Sequence, residues 1–73
     1  MAERITFNPK ILGGKPIIKG TRISVDFVLE LFATGITENE ILKEYPKLTR
    51  ADIRAALDCA ARTMKREEVI LTH

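Results

Sequence analysis

The stretch GGKPIIKGTRISV, residues 13–25, constrains this chain more than any other. It holds three of the four glycines beside a run of β-branched residues. Two mechanisms use glycines in this way. A phosphate loop aims backbone N–H groups from a helix N-terminus and usually closes on Lys-Ser or Lys-Thr. Here Lys15 is followed by Pro16, which has no N–H to give, and strand-like sequence follows instead of a helix. The other mechanism is a tight reversal, and it fits. Gly13 and Gly14 let the chain take positive φ. Pro16 opens an edge strand, and Gly20 turns the chain between PIIK and TRIS. Ile17, Ile18 and Ile23 are then expected to bury against helices. Arg22 is assigned to bracing the turn by hydrogen bonds, and Lys15 to no phosphate.

Upstream, RITF (4–7) reads as a short strand stopped by Asn8-Pro9. From Val25 the period changes to that of a helix. Val25, Val28, Leu29 and Phe32 share one face and Gly35 is a stop, so helix 1 spans about 25–34. TENE is a capping box of Thr37 and Glu40 that opens helix 2, about 38–45, ended by Pro46. TRAD, with Thr49 as cap and Asp52 three residues on, opens helix 3, about 50–66. Its expected apolar stripe is Ile53, Leu57, Ala60 and Met64. VIL (69–71) reads either as a last strand pairing with RITF, in the same chain or in a partner, or as part of a tail.

A chain of 73 residues is one small domain: an N-terminal arm (1–24), three helices (25–66) and a C-terminal tail or strand (67–73). The fold expected is mainly α, a short β-hairpin followed by a helix-turn-helix-like bundle of the homeodomain or winged-helix kind. One cysteine cannot form an internal disulfide, and Cys59 with His73 falls short of the about four ligands of a structural zinc site. Cys59 reads as a small core or interface residue. No cofactor, metal or small-molecule substrate is expected, and no catalytic constellation stands out. Absence of a membrane-length apolar run or a leader makes the cytoplasm the default expectation. Net charge is +2, too little to hold nucleic acid by charge alone. Its distribution is uneven: five bases against one acid in 1–25, two against five in 26–49, five against four in 50–73. One basic face is compatible with that pattern.

The anchors Pro9, Ile11, Gly13, Gly14, Lys15, Pro16, Gly20, Thr21, Arg22 and Ile23, continued by GITENEILKEYPKLTRADIRAALDCAA, resemble the prokaryotic domain of unknown function 433. The resemblance covers nearly the whole chain. One departure is FNPKI, where the family often has an acidic residue before the proline. The resemblance implies a helix-turn-helix-like domain and use as the antitoxin half of a toxin–antitoxin pair, beside a nuclease-like partner. It carries no catalytic residues.

The spacing Ile41, Tyr45, Leu48, Ile53 fits two helices and a turn sharing one core, with Leu57 extending it. Leu42 stands where a small residue is usual, and Pro46 where a glycine of positive φ is usual, so the turn must differ in shape. Arg50 and Arg54 lie in the half of helix 3 that normally reaches base edges, and Lys47 precedes them in the turn. These three are the candidate DNA contacts. For Arg54 a solvated face, paired with Asp58, is an equal reading. Arg62, Lys65 and Arg66 read as a solvated basic end of the helix. Phe27 and Leu31 form a second apolar side of helix 1 and are the candidate homodimer surface, the alternative being cover by the N-terminal arm. Two functions follow. One is an antitoxin-like dimer that binds a toxin and its own operator through helix 3. The other is a purely protein-binding module on the same fold.

Overall fold

The computed structural model describes residues 4–71, with side chains described as far as Lys65. The elements are β1 (Ile5–Phe7), β2 (Pro16–Ile18), α1 (Val25–Ala33), α2 (Glu38–Glu44) and α3 (Arg50–Leu71). A two-stranded antiparallel hairpin precedes three helices, as the residue pattern predicts.

The hairpin register pairs Ile5 with Ile18, Thr6 with Ile17 and Phe7 with Pro16. The reversal after β2 is built by glycine and threonine. Gly20 takes φ +83° and the Thr21 N–H donates to the Ile18 carbonyl at 3.0 Å, the arrangement of a type II turn. The Thr21 hydroxyl donates to the same carbonyl at 2.8 Å and accepts from the Ile23 N–H at 2.9 Å. Ile17 then bridges Ser24, so the TRIS arm lies along β2. Arg22 does not brace this turn. Its side chain is exposed and makes no hydrogen bond among the described residues, because Thr21 already fills the role.

Alternation decides which isoleucine goes where. Ile18 joins Val25, Val28, Ile41, Leu48, Ile53 and Ala56 in the core between hairpin and helices. Ile17, its neighbour, is equally buried but lies outside that cluster, on the other side of the hairpin. The expectation that Ile17 packs on the helices is therefore corrected by the pleat.

Each helix start is capped from the sequence. Ser24 accepts from the Phe27 N–H at 3.1 Å. Thr37 and Glu40 form a reciprocal capping box. Thr49 and Asp52 repeat it, Asp52 accepting from the Thr49 N–H at 3.0 Å and donating its own N–H to the Thr49 hydroxyl at 3.1 Å. α1 stops at Gly35, whose φ of +95° follows the Thr34 cap. α2 stops because Tyr45 precedes Pro46 and is pushed out of the helical region, to φ −124° and ψ 81°.

Two expectations about α3 are overturned. The helix does not end near residue 66. It continues to Leu71, so VIL is neither a strand nor an irregular tail, and β1 pairs with β2 instead. Lys65, Arg66, Glu67 and Glu68 are all good helix formers, and no proline or glycine interrupts them. The buried stripe is also rotated. Ile53 and Ala56 are buried, whereas Leu57 and Met64 are 42% and 59% exposed. Ala56 sits in the core beside Val28 and Ile18, and a small residue there allows α3 to approach closely.

The loop between the strands carries a backbone conflict. Leu12, Gly13 and Gly14 have φ of +52°, +66° and +85°. Glycine tolerates this region, but leucine is strained there. Leu12 is 48% exposed, so its packing return is small. Leu12→Asn should raise stability by up to about 1 kcal/mol, since asparagine visits this region readily. Thermal melts followed by circular dichroism check this; a lower midpoint would show that leucine packing outweighs the strain.

Candidate partner-binding surfaces

The outer side of the hairpin carries an open groove of about 590 Å³. Thr6 and Ile17, paired across the strands, both border it, with Ile11 and Ile23 beside them. Phe7 forms one wall and is 66% exposed. Arg22, from the turn after β2, and Lys47, from the α2–α3 turn, stand at the rim. Among the described residues no carboxylate borders the groove. Neither Arg22 nor Lys47 makes an ion pair among the described residues.

The second surface is the outer side of α3. Among its described side chains Ala60 is the last half-buried one, and every side chain from Ala61 to Lys65 is exposed. Leu57 and Met64, seven apart, therefore share one uncovered side of the helix. No helix among the described residues is long and apolar enough to cross a membrane, and none of their acidic, histidine or cysteine side chains cluster as metal ligands.

The three candidate DNA contacts have different surroundings. Arg50 is held against α2, donating to the Asn39 amide oxygen at 2.6 Å and lying 3.3 Å from Glu38 Oε1. Lys47 lines the groove with Arg22. Arg54 is exposed and makes no ion pair among the described residues; Asp58 pairs instead with Arg62, at 3.1 Å. Lys15 reaches Asp26 at 3.2 Å and so ties the glycine loop to the first turn of α1. The Ser24 hydroxyl, and then Lys15, hold the Asp26 carboxyl below its ordinary pKa.

Phe27 and Leu31 are half-buried and make contacts within the chain. The Phe27 ring meets Tyr45 edge to face, with centroids 5.7 Å apart. Leu31 packs on the core and borders a small cleft with Ile36, Ile41 and Tyr45. The cover comes from α2 and its end rather than from the N-terminal arm. Residue spacing could not reveal that, because Tyr45 counts equally well as a core residue.

The groove was not legible from local signals either. Phe7 read as one residue of a strand, and only the register shows which side of the hairpin it flanks. Arg4 and Asp52, 3.0 Å apart across 48 residues of sequence, give no local signal at all.

Comparison with known proteins supplies the family. A curated relative, the uncharacterized protein y4eO of Sinorhizobium fredii (strain NBRC 101917 / NGR234), is 39% identical over 54 residues. The match covers 74% of this chain but only 24% of that protein's length. The fold matches a crystal structure of a DUF433 member protein from Anabaena variabilis ATCC 29413, with a TM-score of 0.81 and 27% identity. That likeness covers 96% of this chain and 69% of the other. Residues 5–60 match the model of the family described as protein of unknown function (DUF433), a span that holds the hairpin, the glycine turn, α1, α2 and the packed part of α3. The chain belongs to the DUF433 family.

Proposed function

We propose that this chain is a non-enzymatic binding module of the antitoxin kind, holding a nuclease-like toxin protein on the outer side of α3. The observation that carries the reading is the exposed length of α3. From Ala61 to Lys65 every side chain is exposed among the described residues, and the helix presents Met64 in line with Leu57. A short helical arm without tertiary packing is marginal in water. A partner that takes its apolar side into a groove both stabilises it and uses it for recognition. The toxin identity rests on the family resemblance.

The test is co-expression with the product of the neighbouring reading frame, followed by calorimetric titration. Leu57→Glu with Met64→Glu should weaken the complex at least about 100-fold, because apolar anchors dominate such interfaces. Met64→Glu alone should shift the melting temperature little, whereas Leu57, 42% exposed, should cost some stability when charged, so affinities are compared well below both melting temperatures. A complex of unchanged affinity would remove α3 from the interface.

Operator binding is a second reading, favoured by the exposed Arg54 without an ion-pair partner among the described residues. It calls for a salt-sensitive gel shift on the promoter of the chain's own operon, weakened by Arg54→Ala.

A further inference from the structure

We propose that the groove on the outer side of the hairpin binds an acidic peptide segment of a partner protein, with Arg22 and Lys47 taking its carboxylates. The inference rests on the reading of the chain as a binding module, and it adds a second contact surface remote in sequence from the exposed part of α3.

Three observations converge. The first is size: about 590 Å³ falls within the range of clefts that hold several side chains. The second is the floor. The half-buried Ile11 and Ile23 give it aliphatic surface over the buried Ile17, and Phe7 leaves two-thirds of its surface uncovered beside them. An apolar side chain placed there would shield Phe7 from water.

The third observation is charge. Arg4, Lys15, Arg50 and Arg62 each hold a carboxylate of this chain. Among the described residues, Arg22 and Lys47, brought together from two different turns, hold none, and no acidic residue lines the groove between them. Two unpaired cations over an apolar floor complement a segment that alternates carboxylates with apolar side chains. Single-stranded nucleic acid fits less well, because successive bases need several aromatic faces and this groove offers only Phe7 among aliphatic and small polar side chains.

Fluorescence polarisation with a labelled peptide of alternating glutamate and leucine tests the proposal. The comparison probes are the glutamine–leucine peptide and a 12-nucleotide oligothymidine. The glutamate peptide should bind, with affinity falling as salt rises. The glutamine peptide should bind at least tenfold more weakly. Arg22→Gln with Lys47→Gln should cost at least tenfold for the glutamate peptide, while Leu57→Glu with Met64→Glu should leave it unchanged. Neither Arg22 nor Lys47 holds a hydrogen bond in the fold among the described residues, so the double variant should keep the wild-type circular dichroism spectrum. Equal binding by wild type and the Arg22/Lys47 variant would overturn the proposal, as would oligothymidine binding that alone is lost in that variant. Loss of the toxin complex in the α3 variant with peptide binding intact would separate the two surfaces; loss of that complex together with equal peptide binding by wild type and the Arg22/Lys47 variant would sink the groove and spare α3.

Discussion

Asp52→Ala is expected to lower stability by about 2–3 kcal/mol, a large share of what a domain this small has to lose. The carboxylate serves two elements at once. One oxygen accepts from the Thr49 N–H at the start of α3; the other accepts from Arg4, at the edge of β1. Losing a helix cap costs about 0.5–2 kcal/mol, and a charge-assisted hydrogen bond contributes about 1.5–3 kcal/mol. The two are coupled and do not add in full. Arg4 is also 45% exposed, so solvent screens its share. Arg4→Ala should therefore cost less, about 1 kcal/mol or below, because Asp52 keeps its bond to Thr49. Asp52→Asn, which retains an oxygen for Thr49 but not the charge, should fall between. For a chain of this length the alanine variant should melt on the order of 10–20 °C lower. Equal losses for Asp52→Ala and Arg4→Ala would mean that the cap contributes nothing.

The same residue shows where sequence reasoning succeeds and where it stops. Thr49 and Asp52 are three apart, and the capping geometry that joins them is local, so four letters reveal it. The same holds for Thr37 with Glu40 and for the stop at Gly35. The tie from Asp52 to Arg4 depends on how the hairpin docks on α3, which no local window contains. Helix α3 fails at both levels. Its length was missed because the β-branched letters of VIL suggested a strand, while the preceding Lys-Arg-Glu-Glu run carries the helix through them. Its buried side was misplaced because Leu57 outranks Ala56 in hydrophobicity. Close packing against α1 and the hairpin selects the smaller residue, and Leu57 turns outward. The surface that results is the one proposed to hold a partner. The fold was legible in its caps, turns and periods; the binding surfaces depend on rotations and register that only assembly fixes.

Gly20→Val is expected to cost about 2 kcal/mol or more, entirely through the backbone. At φ +83° a glycine is unstrained, whereas an L-residue is disfavoured by about 1–2 kcal/mol and a β-branched one by more. Steric contact plays no part, since a Cβ added at this position meets no atom within 4 Å. That separation makes the prediction sharp. Gly20→Asn adds a longer side chain yet should recover much of the loss, because asparagine tolerates left-handed backbone. A purely steric cost would instead grow from alanine to valine to asparagine. The consequence also travels beyond the turn. The Ile18–Thr21 reversal fixes Thr21, whose hydroxyl joins the Ile18 carbonyl to the Ile23 N–H, and it places Arg22 at the rim of the groove. Gly20→Val should therefore weaken the glutamate–leucine peptide as well as the fold, at temperatures where the chain remains folded. Lys15→Ala, which removes only an exposed ion pair to Asp26, should do neither, and its melting temperature should stay within a few degrees of wild type. Two substitutions five positions apart in the same motif thus divide cleanly: the residue that shapes the chain is Gly20, and the charged Lys15 is replaceable.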